Sequence, residues 1–182
     1  MPNALLIDGE IYPLRTDFPA GIEYQMMAAA GKLTAASLYK IWFVDRFPSN
    51  IVEALEGIKR FFLRKDEEPK EPKRGPIPYD FTVDADVIAS GFLCKYGIDI
   101  TSSRTEMHWW RFMALLEGLV APDFARRVEI RTKDLSGVKS KERSRRMKLR
   151  NEYAIHTNNE TAEDHLAMLD RIAAEHGGEC DG

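Results

Sequence analysis

His108 stands between Met107 and the pair Trp109-Trp110, with Glu106 two residues before it, and an imidazole near a carboxylate is the usual starting point for general acid–base chemistry. Residues two apart on a helix point away from each other, so Glu106 does not orient His108 there, and a packing or capping histidine is the simpler reading. His156, His165 and His176 lie in a polar C-terminal stretch, with Asp164 beside His165. They lack the H-E-x-x-H type of spacing that brings ligands onto one metal ion. Asp84, Asp86 and Asp99 are read as helix-capping and loop carboxylates rather than as an acid and base pair. No glycine-framed serine and no glycine-rich phosphate loop occurs. The expectation is a protein that is not an enzyme and that holds neither cofactor nor metal.

Charge is the other candidate chemistry. The formal net charge is -3, but it is segregated along the chain. Between Arg126 and Arg150 there are eleven Lys or Arg against Glu129, Asp134 and Glu142, a net of +8; from Asn151 to Gly182 eight acids oppose Arg171, a net of -7. Arg143, Arg145, Arg146, Lys148 and Arg150 could contact phosphates, which makes a nucleic-acid-binding regulator using a basic helix over 139–150 the rival reading. Against it, the block has no interleaved aromatic residues on which bases could stack. A solvated helix, or one paired with the acidic tail, is the alternative.

The element that must position His108 and the tryptophans is a helix over Ser103–Leu119, SRTEMHWWRFMALLEGL. Ser103 and Glu106 have the spacing of a capping box, and apolar residues follow at helical intervals on a face too wide for one seam. Adjacent residues on a helix diverge by about 100°, so Trp109 and Trp110 cannot both enter one narrow core. One of them is expected to meet another element, either a neighbouring helix of the chain or a partner, since tryptophan is enriched among binding anchors.

Around this helix the chain reads as follows. Ala4–Leu14 has the pattern of two short strands about Asp8-Gly9, a dipeptide suited to a tight hairpin. Thr16 or Asp17 can cap a helix bearing Phe18, Ile22, Met26 and Met27; Thr34 caps one with Leu38, Ile41 and Trp42; Asn50 caps one with Ile51, Leu55, Ile58 and Phe62, whose outer side would carry Glu56, Lys59 and Arg60. The four prolines and mixed charges of 64–78 mark a loop. Asp84 can cap a helix ending at Gly97, in which Gly91 suggests a close approach to a neighbour. Pro122 opens a helix with Phe124 and Val128 inward and Arg126, Arg127 and Arg131 outward. Ser140–Tyr153 is expected to be a basic, mostly exposed helix. Beyond it Leu166, Met168, Leu169 and Ile172 could form an amphipathic turn or two in an otherwise mobile acidic tail.

With 182 residues, 44% of them hydrophobic and 30% charged, the chain is expected to be one mainly helical domain over 1–155, of about five to seven helices with an N-terminal β-hairpin, and a tail over 156–182. No apolar run is long enough to span a membrane and the N-terminus has no secretory pattern. Cys94 and Cys180 have no C-x-x-C spacing and suit free thiols in a reducing compartment. A cytoplasmic location follows as the expectation.

Three pieces occur in one order: IDGEIYPLRTDFPAGIEY, then YDFTVDADVIASGFLCKYGIDI, then MHWWRFMALLEGL followed by SKERSRRMKLRNEYA. Together, over roughly Leu5 to Ile155, they resemble the bacteriophage gp-fifteen family, small proteins of long-tailed phages and prophages. The resemblance implies a tail assembly chaperone in the cytoplasm of the bacterial host, one that binds the long helical tape measure protein and keeps it soluble while the tail tube forms. The major tail tube protein and a second copy of the chain are further candidate partners. The family supplies no catalytic residues. In physical terms such a chaperone needs an adaptable apolar groove for an amphipathic helix. Trp109 or Trp110, with Met107 and Met113, is expected to line it, and Arg143, Arg146 and Arg150 to meet an acidic face of the partner.

Overall fold

The computed structural model describes residues 1–64, 77–155 and 162–177. The loop residues 65–76, His156 and Cys180 lie outside the described residues, as do the side chains of Asp164, His165, Leu166 and His176. The described elements run β1 (Ala4–Ile7), β2 (Glu10–Pro13), α1 (Phe18–Ala29), α2 (Ala35–Trp42), α3 (Ile51–Leu63), α4 (Ala85–Tyr96), α5 (Trp109–Glu117), α6 (Pro122–Thr132), α7 (Ser140–Glu152) and α8 (Ala162–Gly177). The fold is mainly helical with a small N-terminal hairpin, as expected, and the eighth helix arises where only an amphipathic turn or two was anticipated. Within 1–155, and with α8 added, the described residues form two compact units. The first holds the hairpin, α1, α2, α3, α8 and Glu106–Phe112; the second holds α4, α6, α7 and the α5 residues Met113–Glu117.

In the first unit the hairpin turns at Asp8 and Gly9, both at positive φ (50° and 78°), and pairs Leu5 with Tyr12 and Leu6 with Ile11. Pairing alternates the side chains. Ile7 and Tyr12 are buried, while Leu6 and Ile11 are exposed. The tip is tied to the start of α3, where Glu53 Oε2 accepts from the Asp8 amide at 2.9 Å and Asn50 Nδ2 donates to Asp8 Oδ1 at 3.0 Å. Asp17 caps α1, Thr34 caps α2 in a reciprocal box with Ser37, and Asn50 caps α3. Each of these three starts was legible because a cap is a contact within three residues.

The core of this unit is aromatic. Trp42 lies edge-on to Phe61, Tyr24 is tilted against Phe62, and Trp109 stacks on Phe62 and Phe112 with ring centres 5.8 and 5.7 Å away. Trp109 also lies on Gly21, where a Cβ would come within 2.1 Å of its ring. The small residue on α1 therefore makes room for the indole. Lys59, expected on the outer side of α3, is only 6% exposed, because α8 packs on α3 and Asp170 meets the ammonium at 3.2 Å.

In the second unit α4 packs on α6 and α6 on α7. Gly91 does mark a close approach: a Cβ there would lie 3.0 Å from Ala121 Cβ and from Leu119 Cδ2. Tyr96 Oη donates to the Leu115 carbonyl at 2.8 Å and Lys95 to that of Gly118. Both bonds hold carbonyls at the end of α5, where the helix itself supplies no donor.

Candidate functional site

The helix carrying the two tryptophans begins later than the sequence suggested. Ser103 and Glu106 form no capping box; residues 99–105 fold as turns in which Asp99 accepts from the Thr101 amide at 2.9 Å and Thr105 Oγ1 donates to the Asp99 carbonyl at 2.5 Å. Helix α5 starts at Trp109 because His108 is held in a β-bridge with Asp17. In that bridge the Trp109 amide donates to Thr16 O at 2.6 Å and the Phe18 amide to Met107 O at 2.9 Å. His108 Nδ1 accepts from the Trp110 amide at 3.0 Å, so Nε2 carries the proton and donates to Pro2 O at 2.9 Å. Both ring nitrogens thus serve the backbone, in the way an N-cap side chain does.

The expected partner-binding residues divide between the two units. Met107 and Trp109 belong to the core of the first, at 8% and 1% exposure. Trp110 is half-buried there, edge-on to His108 and tilted against Phe61, with Nε1 donating to Phe61 O at 2.8 Å. Of the two indoles it is the one with an accessible face. Met113, also half-buried, belongs to the second unit together with Arg143, Arg146 and Arg150.

In the second unit α6 and α7 enclose a cleft of about 380 Å³. Ile130, Leu135 and Leu149 give it an apolar floor, and Arg126, Lys133, Arg145 and Arg146 a basic rim. Glu129 and Glu142 also line it, each one turn before a cation: Lys133 meets Glu129 at 2.5 Å and Arg146 meets Glu142 at 2.7 Å. Hydrogen bonds from those cations hold both carboxyls below the usual glutamate range. Arg126 and Arg145 form no ion pair among the described residues, so the lining is net positive. Arg150 plays a different part: its guanidinium donates to the carbonyls of Ile130, at 3.4 Å, and Lys133. It closes the end of α6 and sets α7 beside it. Helix α7 itself has no buried residue, and Arg143 is exposed on it.

The buried pair that ties α6 to the rest of the second unit was missed by sequence reasoning. Arg131, expected outward, is 3% exposed, and Asp84, expected as a helix cap, makes no capping bond and is fully buried. Arg131 grips the Asp84 carboxylate with both terminal nitrogens, at 2.6 and 3.1 Å, and donates as well to Tyr153 O at 2.7 Å and Pro78 O at 3.2 Å. Arg127 adds a third contact to Asp84 at 3.1 Å and reaches Asp86 at 3.4 Å. Burial alone would raise the Asp84 carboxyl; the bonds from Arg131, the Asp80 amide and Arg127 outweigh it and leave it below the 3.8 of a free aspartate. One buried guanidinium thus joins α6, the lead into α4 and the end of α7. No local pattern announces a pair 47 residues apart.

Among the described residues no cluster of three His, Cys, Asp or Glu side chains is arranged to hold a metal, and no helix is long and apolar enough to cross a membrane. No curated protein and no solved structure matches the chain. A family model does: that of the bacteriophage Gp15 protein matches residues 31–155, which include α2 to α7 and with them the tryptophan pair, the buried Asp84–Arg131 pair and the whole of the basic cleft. The match spans more than half of the sequence, and the chain belongs to the bacteriophage Gp15 protein family.

Proposed function

We infer that this phage protein is a tail assembly chaperone acting in the host cytoplasm, which binds the tape measure protein and keeps it soluble while the tail tube forms. The observation that carries the reading is the cleft between α6 and α7, with its apolar floor of Ile130, Leu135 and Leu149 and its rim of Arg126, Lys133, Arg145 and Arg146. A long helix with apolar stripes aggregates through those stripes when it is free. A shallow apolar floor can receive one such stripe, and the basic rim can meet acidic residues beside it. Trp110 offers a second, aromatic contact from the first unit. Because the rim is exposed, its charge acts mainly on the rate of encounter, and modest affinity lets the tube subunit replace the chaperone.

Co-expression of the chain with the tape measure protein of the same phage or prophage, followed by affinity capture and sizing, tests this. The expected result is a soluble complex with a partner that is insoluble by itself. The double change Arg143→Glu/Arg145→Glu is expected to slow association by about tenfold at low salt, with a much smaller change in dissociation. Stopped-flow measurements at two ionic strengths check this, and an association rate indifferent to salt and to both changes would remove the basic helix from the account. Salt-dependent binding of duplex DNA at physiological ionic strength, with no capture of the tape measure, would favour the regulator instead.

A further inference from the structure

Helix α8 packs on α3, and the pair shows what kind of occupant the α3 surface accepts. Along α8, Met168, Leu169 and Ile172 are buried at 7%, 2% and 6% exposure, whereas Asp170, Arg171 and Glu175 face solvent. This is an amphipathic helix seated by three apolar residues within two turns. Between them Asp170 reaches back to Lys59 of α3, 3.2 Å away; the lysine side chain is 6% exposed and the aspartate side chain 61%. The seat thus combines apolar surface with a positive charge that is covered while α8 is in place, and it suits a helix bearing a carboxylate beside its apolar stripe, as α8 does with Asp170. The family match covers α3 and ends at residue 155, before α8 begins.

We propose that α8 is an internal stand-in for a partner helix: the α3 surface with Lys59 is a binding seat for an amphipathic helix carrying an acidic residue next to its apolar stripe, and α8 occupies that seat until a partner displaces it. The proposal deepens the chaperone reading and rests on it, because the partner with repeated helical stripes is the tape measure. A tethered occupant competes at high effective concentration, so it lowers the apparent affinity of every incoming helix by the fraction of time the seat is free. Weak segments are then excluded and the seat stays covered in the free protein, which also keeps its own apolar surface out of solvent.

The test uses the full chain with Leu169→Asp, which places a charge in the α8 seat, and a labelled peptide with the sequence of residues 162–177 as probe. Fluorescence anisotropy is expected to show the variant binding the peptide at least about tenfold more tightly than the unaltered chain does. Adding Lys59→Glu should abolish the gain, and tape measure capture should rise with Leu169→Asp. Equal peptide binding by the unaltered chain and the variant would overturn the proposal. So would loss of the folded state in Leu169→Asp, judged by circular dichroism and thermal unfolding, because α8 would then be core rather than cover. A shift of the variant to a dimer that excludes the peptide would assign the seat to a second copy and overturn the partner assignment. If Leu169→Asp leaves capture unchanged while both chains capture the tape measure, only this inference fails; if neither captures it, the chaperone reading fails.

Discussion

Arg131→Met is expected to lower the unfolding free energy by about 3–5 kcal/mol, because it leaves the Asp84 carboxylate buried with one remaining ionic partner. The methionine keeps the unbranched apolar stem but removes the donors to Asp84, Tyr153 O and Pro78 O. Denaturant unfolding by circular dichroism measures the loss. The double change Asp84→Leu/Arg131→Met should regain a large part of it, since removing both charges removes the desolvation cost along with the attraction. A double variant as unstable as the single one would mean that the carbonyl contacts, and not the ion pair, hold the second unit together. The pair also has a pH signature. The folded-state pKa of Asp84 lies below 3.8, so its contribution to stability is complete above that value and is lost as pH falls through 3.8 towards the lower folded value. The stability gap between the unaltered chain and Asp84→Asn is therefore expected to narrow below about pH 4 and to be constant between pH 5 and 8. A gap that widened on acidification would contradict the assignment.

The tryptophan pair should separate just as clearly. Trp109→Ala removes a fully buried ring stacked between Phe62 and Phe112 and facing Gly21, and is expected to cost about 3–5 kcal/mol, enough to unfold a marginal chain. Trp110→Ala removes a half-buried ring and one hydrogen bond to Phe61 O, and is expected to cost no more than about 2 kcal/mol while weakening capture of the tape measure. Thermal unfolding and co-expression capture on both single variants check this. Unfolding of both would make the pair simple core and leave the α6–α7 cleft to carry the partner alone.

The reasons why parts of this molecule were legible and others were not are physical. The hairpin at Asp8-Gly9 and the caps at Asp17, Thr34 and Asn50 satisfy backbone donors within three or four residues, so the residue types reveal them. The Ser103–Glu106 spacing looked the same but failed, because Asp99 folds that stretch into turns and a bridge from the distant Asp17 decides where α5 starts. The capping box carries no knowledge of that bridge. Of the tryptophans, the sequence required that they diverge, and only Gly21 and Phe62, on other helices, determine that Trp109 goes inside. Periodicity alone puts Lys59 and Arg131 outside; Asp170 and Asp84, which they meet, are 111 and 47 residues away, and a buried cation is readable only when its counter-charge is known. The basic segment was visible as composition, but its use was not. Arg150 serves the end of α6 and Arg146 pairs with Glu142, while Arg145 stays on the rim of the cleft.

The most direct measurement is light scattering of the purified tape measure protein as it is diluted from denaturant into buffer, with and without an equimolar amount of this chain. Strong scattering is expected from the tape measure alone and its suppression by the chain, with the two proteins then eluting together on sizing. A tape measure that stays clear by itself, or one that aggregates to the same extent when the chain is present, would contradict it.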